Sequence, residues 1–324
     1  MCTAITYTTK DFYFGRTLDY DCSFDEQVTI TPRRFPLVFR DKFTSNVHYS
    51  MIGMAHIENG YPLYYDAVNE MGLAMAGLNF VNDTYYNPKT DGKDNIAQFE
   101  FIPWVLSNCA SVKETKALLK NINLTEEAFN ESLPVAKLHW LIADREEAIT
   151  VESLKDGLAV FDNPVGVLTN CPPFYEQMSR INDYMHLSPR QPQNNFSKKL
   201  TLHPYSRGMG AIGLPGDLSS SSRFVRAVFT KLNSVSEKTE QKSVAQFFHI
   251  LDTVSQTNGC CELENGKFEK TIYSSCCNAD KGIYYYTTYD NRSITAVHLY
   301  HENLDSDALV GYPLIVDFLP NSQN

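Results

Sequence analysis

Strand patterns stand at both ends of this 324-residue chain, with capped helices and further strands between them. That order departs from a regular strand–helix alternation and predicts an α+β fold. The opening reads as a β-hairpin: Cys2 to Tyr7, a polar turn over Thr8 to Asp11, then Phe12 to Arg16. Along the first arm Cys2, Ala4 and Thr6 share one face, because strand side chains alternate. Val28 to Thr31, closed by Pro32, reads as another strand. The tail holds three more, Thr271 to Ser274, Gly282 to Tyr289 and Ser293 to Leu299. Ser111 with Glu114, and Ser243 with Gln246, spell capping boxes ahead of apolar runs. A third helix is expected after Ser219–Ser222, continuing through Phe224, Val225, Ala227, Val228 and Phe229. No repeat or Pro/Ser-rich linker divides the chain, so one domain over residues 2–324 is expected.

Several function classes are disfavoured at this stage. Apolar runs such as Leu138-His139-Trp140-Leu141-Ile142-Ala143 fall far short of the ~18 residues of a membrane span. The start, Met1-Cys2-Thr3-Ala4-Ile5-Thr6-Tyr7, lacks a basic stretch followed by an apolar segment, so a cytoplasmic protein is expected. A net charge of -10 argues against nucleic acid or an anionic membrane as the main partner. The eight cysteines show no C-x-x-C spacing and are expected to be reduced thiols, not zinc ligands. Gly208-Met209-Gly210-Ala211-Ile212-Gly213 fits G-x-G-x-x-G, but Leu214-Pro215-Gly216 follows where a dinucleotide site needs a helix. His298 and His301 have no carboxylate or cysteine company and read as surface residues. Neither a cofactor nor a metal is expected.

Cys2 carries the chemistry. Trimming of Met1, which happens when the next residue is small, leaves a thiol and a free α-amine on one residue. That amine has an unperturbed pKa of about 7.7–8 and can act as base for its own thiol. By itself the position is weak, since any second residue can be cysteine by chance. On the returning arm, Tyr13-Phe14-Gly15-Arg16-Thr17-Leu18-Asp19-Tyr20, Arg16 can favour a thiolate and Asp19 can hold the amine. The plainer alternative is a surface ion pair worth ~0–1 kcal/mol. Residues three apart on a regular strand face opposite ways, so both can serve only if the chain bends near Leu18.

Further segments widen the pattern: Asn69-Glu70-Met71-Gly72-Leu73-Ala74-Met75-Ala76-Gly77-Leu78-Asn79-Phe80, Phe99-Glu100-Phe101-Ile102-Pro103-Trp104 and Asp162-Asn163-Pro164-Val165-Gly166-Val167-Leu168-Thr169-Asn170. Gly213-Leu214-Pro215-Gly216-Asp217-Leu218 and Ser222-Arg223-Phe224-Val225-Arg226 follow. With these the chain resembles the choloylglycine hydrolase family, in its bile salt hydrolase branch, over essentially its whole length. The resemblance implies a four-layer αββα sandwich of the N-terminal nucleophile type that hydrolyses a linear amide. It implies Cys2 as nucleophile with Arg16 and Asp19 beside it, Asn79 and Asn170 at the oxyanion, and Arg223 completing the charged surround. Leu18, Phe24 and Tyr65 would line an apolar steroid pocket, and homotetramers are common in the family. The branch preferring penicillin V usually places Tyr where this chain has Asn79, which points to conjugated bile salts.

These roles make physical sense. Preorganised donors aimed at a developing oxyanion are often the largest catalytic term, and Asn supplies an uncharged NH2. Turn formation is the plainer role for either Asn. Arg223 falls in a helix's first turn, where a cation opposes the macrodipole by ~0.3–1 kcal/mol. Two positions depart from the family's usual Arg-Asn and Thr-Asn-Asn: Arg16-Thr17 and Thr169-Asn170-Cys171. A penicillin V or N-acyl homoserine lactone acylase, and a non-catalytic carrier of hydrophobic ligands, remain alternatives.

Overall fold

A computed structural model describes residues 1–41 and 47–324. The opening hairpin forms with longer arms than expected, Cys2–Thr8 and Phe12–Tyr20. Its register opposes Cys2 to Leu18 and Ala4 to Arg16, so these four side chains share one face. The hairpin lies within a six-stranded sheet. Val167–Leu168 flanks it on one side; Lys270–Asn278, Ile283–Thr288 and Thr295–His298 follow on the other. Strands from the two ends of the sequence thus pair directly.

A second sheet has eight strands in the order Gly157–Asp162, Ala148–Leu154, Leu138–Ala143, Ala74–Asn79, Tyr61–Asn69, Met51–Glu58, Gln27–Thr31 and Val310–Pro313. Alternation along its strands splits the interior into two cores. Ala74, Ala76, Leu78, Leu141 and Ala143 pack with the first sheet. Met75, Trp140 and Ile142 pack with Phe101, Ile102, Trp104 and Val105 of the helix Phe101–Asn108. Helices Ser220–Asn233 and Glu240–Asp252 cover the other face of the first sheet through Phe224, Ala227, Val228, Val244 and Phe247. Burying each of the larger side chains contributes about 2 kcal/mol. The layers run helix, sheet, sheet, helix: the αββα sandwich.

Local signals held where short-range chemistry decides. Ser111 caps the helix Val112–Leu118 by accepting from Glu114 N, and Ser219 caps Ser220–Asn233 by accepting from Ser222 N. Ser243 is a correction. The helix begins at Glu240 with Thr239 at the N-cap. Ser243 lies inside it, buried, with its hydroxyl 2.8 Å from Thr9 Oγ1. The Ser243/Gln246 spacing matched a cap, but Glu240, Gln241 and Lys242 ahead of it are themselves good helix formers. The strand at Thr271 runs on to Asn278, with Cys276 and Cys277 buried on opposite faces. Gly15 is required there, because a Cβ would stand 2.0 Å from Ser275 O. The edge strand Val310–Pro313 was not foreseen; four residues including Gly311 and Pro313 carry little strand signal. All eight cysteines are free thiols. Among the described residues no helix is long and apolar enough to cross a membrane, and no group of three or more metal-ligating side chains assembles.

Lys231 offers a stability test. Its ammonium donates to Thr6 Oγ1 and the carbonyls of Val165 and Gly166, with no carboxylate partner among the described residues. Burial lowers its pKa from 10.5 to about 8. A base whose folded pKa is depressed weakens the fold while charged, so this cost is full below about 8 and fades as pH climbs toward 10.5. Urea unfolding of wild type and Lys231→Met should show the wild-type-minus-variant difference rising with pH, by up to about 3 kcal/mol across that window. A difference independent of pH would mean that burial does not perturb Lys231.

Candidate active site

The hairpin brings the chain start into the interior. Cys2 is only 2% exposed. In the untrimmed chain the Met1 ammonium donates to Asp19 O at 2.6 Å and Glu269 Oε1 at 2.9 Å, and Met1 O accepts from Asp19 N at 2.9 Å. The Met1–Cys2 peptide thereby extends the strand ladder. Cys2 N donates to Asn170 Oδ1 at 2.9 Å; this amide nitrogen marks where the α-amine stands once Met1 is gone.

Arg223 closes over the same atoms. It reaches inward from the first turn of its helix and is fully buried. NH1 donates to Cys2 O and to Thr3 Oγ1 at 2.7 Å, NH2 to Asn170 Oδ1 at 2.7 Å, and Nε to Leu218 O at 3.0 Å. Burial lowers its pKa, with Asp19 and Cys2 acting in the opposite direction. The unfavourable position relative to the helix dipole is offset by this set of acceptors.

Arg16 occupies the face that carries Cys2. Its guanidinium donates to Gly77 O and, at 3.1 Å, to Tyr65 O, two carbonyls of the opposing sheet. Burial alone would lower its pKa; Cys2, Tyr273, Asp66 and Asp19 together raise it, so it stays cationic. Asp66 is the buried carboxylate behind it, accepting from Tyr273 OH at 2.9 Å and Tyr284 OH at 2.7 Å. Burial raises the Asp66 pKa, with Arg16 and the hydroxyl donors opposing.

Asp19 is placed differently from the expectation. Phe12–Tyr20 continues as one strand through Leu18, so Arg16 and Asp19 point to opposite faces. The irregularity lies instead in the partner strand, between Thr271 and Tyr273. The Asp19 carboxylate accepts from Thr17 Oγ1 at 3.0 Å and Thr271 Oγ1 at 2.6 Å. In the untrimmed chain the main-chain carbonyl of Asp19 meets the Met1 ammonium. Thr17, one of the two departures from the family pattern, also accepts from Thr3 N at 3.2 Å.

Asn79 and Asn170 come together: Asn170 Nδ2 donates to Asn79 O at 2.8 Å. One N–H of Asn170 is thereby used and one remains. The half-buried Asn79 side chain has no hydrogen-bond partner among the described residues, which leaves its amide free to donate outward. Of the proposed lining, Leu18 is buried opposite Cys2, Tyr65 is half-buried, and Phe24 is exposed with its ring 5.1 Å from Tyr20. A cleft of about 690 Å³ between residues 21–27 and the tail is lined by none of these three, nor by Cys2.

Sequence reasoning missed Asp66, Thr3, Glu269 and a polar set behind Asn170. In that set Gln177 Nε2 donates to Asn170 O at 2.6 Å, and Ser220 Oγ accepts from Asn170 N at 2.8 Å. The available signal was a lone acid or polar residue inside an apolar strand, as with Asp66 in Tyr61–Asn69.

The chain is similar to known proteins over its full length. Residues 2–312 match the family described as linear amide C–N hydrolases, choloylglycine hydrolase family. A bile salt hydrolase/transferase of Lactiplantibacillus plantarum is 56% identical over 314 residues, covering 97% of each chain. The crystal structure of a conjugated bile acid hydrolase variant from Clostridium perfringens superposes with a TM-score of 0.92 at 37% identity, covering all of both chains. A penicillin V acylase from Agrobacterium tumefaciens shares the fold, with a TM-score of 0.73 at 18% identity over 95% of this chain and 90% of that one. The buried amino-terminal cysteine, its polar clasp and these likenesses agree: the chain belongs to the choloylglycine hydrolase family of linear amide C–N hydrolases.

Proposed function

We propose that this chain hydrolyses the amide bond of glycine- or taurine-conjugated bile salts, with Cys2 as nucleophile after Met1 is removed. The reading rests on the contact of Cys2 N with Asn170 Oδ1, clasped by Arg223, with cationic Arg16 on the face of the thiol. The α-amine takes the thiol proton, Sγ bonds to the carbonyl carbon, and the carbonyl π pair moves to oxygen. Asn79 and the second N–H of Asn170 donate to that oxyanion. The C–N bond then breaks, the leaving amine collects the proton, and a Cys2 thioester remains. Water, deprotonated by the same amine, cleaves the thioester and releases the free bile acid. Arg16 favours negative charge on sulfur, and Asp19, whose backbone pairs with Met1 before trimming, is left beside the new terminus to hold the α-amine. Leu18, Phe24 and Tyr65 line the steroid site, which calls for an apolar wall with few polar groups.

The names of the relatives support the substrate class. Assembly into a homotetramer would cover exposed apolar residues such as Met185, Phe196 and Tyr205, and Ile315, Phe318 and Leu319 in the tail. Each subunit acts as a single domain, without a cofactor, in the cytoplasm.

Glycocholate, taurocholate, penicillin V and an acyl homoserine lactone, assayed side by side for released amine, test the reading. Bile conjugates should be turned over fastest. Asn79→Tyr should lower the ratio of bile salt to penicillin V cleavage by about tenfold, the scale at which pocket changes discriminate acyl groups. Wild-type preference for penicillin V would overturn the substrate class, and tight steroid binding without turnover would favour a carrier. An unchanged ratio in Asn79→Tyr would remove Asn79 as the discriminator.

A further inference from the structure

His139 is a fully buried imidazole in the strand Leu138–Ala143, where its neighbours Trp140, Leu141 and Ile142 are apolar. It touches the residues next to both active-site asparagines. Its ring stacks on Phe80, which follows Asn79, with centroids 4.3 Å apart and planes 7° from parallel. Its Nε2 lies 2.8 Å from the carbonyl of Thr169, which precedes Asn170. A carbonyl oxygen can only accept, so Nε2 carries hydrogen and donates. Nδ1 lies 3.1 Å from Glu152 Oε1, and this carboxylate is also fully buried. Whichever partner holds the proton of that contact, the ring is fixed in one orientation.

Glu152 acts on the same site by a second route. Its Oε1 accepts from Phe174 N at 2.9 Å, at the start of the helix Phe174–Arg180. Gln177 of that helix donates to Asn170 O and accepts from Thr169 Oγ1 at 2.8 Å. Thr169 and Asn170 are therefore gripped from the strand side by His139 and from the helix side by a turn that Glu152 anchors.

We propose that His139, braced by Glu152, is a positioning residue that holds Asn79 and Asn170 in register for the oxyanion. This rests on the roles given above to the two asparagines. His139 touches no substrate. It acts by fixing the backbone on which the donors ride, where small displacements cost rate more than binding.

The test compares His139→Asn, whose amide is too short to reach Thr169 O, with His139→Gln, whose amide reaches it. Glu152→Gln is the third variant. In His139→Asn, kcat on a conjugated bile salt should fall about 10- to 100-fold with KM within about threefold. His139→Gln should recover most of that loss, and Glu152→Gln should lose a few-fold in kcat. Alkylation of Cys2 by iodoacetamide, followed by peptide mass, forms no carbonyl oxyanion and should proceed at the wild-type rate in all three. If His139→Asn fails to fold, Glu152→Gln and His139→Gln still decide the matter through the same kcat against alkylation comparison. Equal kcat in wild type and variants overturns the inference. So does parallel loss of kcat and Cys2 alkylation, since that marks a general structural role. A wild type without amide turnover would instead remove the catalytic reading on which the proposal stands.

Discussion

Cys2→Ala is expected to lower bile salt turnover by at least about 10⁴-fold, while shifting thermal melting by only a few degrees. The sulfur is the one atom proposed to bond with the acyl carbon, and no other thiol replaces it. Cys276 and Cys277 are buried in the strand Lys270–Asn278, two strands away in the same sheet, and burial raises both their pKa values. The stability cost is small, because losing one buried sulfur removes little apolar contact, about 1 kcal/mol. The hydrogen bonds of Cys2 N and O to Asn170 and Arg223 involve only the backbone and survive the change. Single-turnover kinetics with calorimetry separates the two effects. Full residual activity would eliminate Cys2 as nucleophile; a collapse of the melting transition would mean that the thiol is chiefly a packing group.

Retention of Met1 should be nearly as damaging, with turnover down by about 10³-fold or more although the thiol is intact. In the untrimmed chain Cys2 N belongs to a peptide bond. Its lone pair is delocalised into the carbonyl, so it can donate to Asn170 Oδ1 but cannot take a proton from sulfur. Protein produced with the host methionine aminopeptidase inhibited should carry Met1 by intact mass and be inactive, whereas normally processed protein should lack it and be active. An active preparation retaining Met1 would contradict the use of the amine as base. The contacts of the Met1 ammonium with Asp19 O and Glu269 Oε1 also show that an uncleaved terminus is well accommodated, so inactivity would not reflect misfolding.

Much of the site was legible because its members sit in strong local contexts. Cys2 and Arg16 lie on the two arms of one hairpin, and the register of that hairpin puts them on a common face. Arg223 follows a serine cap that sets the helix register. Asp19 shows where this reasoning ran out. Parity placed its side chain opposite Arg16, and a bend near Leu18 was the apparent way to reconcile their roles. The strand stays regular, and in the untrimmed chain the backbone carbonyl of Asp19 meets the Met1 ammonium. Periodicity describes side-chain direction and is silent on which main-chain groups a distant segment will use. Ser243 failed for a related reason: a capping spacing is short and recurs inside helices.

Residue order by itself determined the α+β class, the hairpin that carries the nucleophile and the helix that carries Arg223, because each depends on alternation or capping over a few neighbouring residues. Only the tertiary structure decided that Asn170 and Arg223 meet at the Cys2 backbone, that Asp66 stands behind Arg16, and that His139 touches the neighbours of both asparagines. Those contacts join segments 30 to 221 residues apart. They arise only when two twisted sheets pack face to face and the cost of burying each polar group is met by a partner that no local pattern specifies.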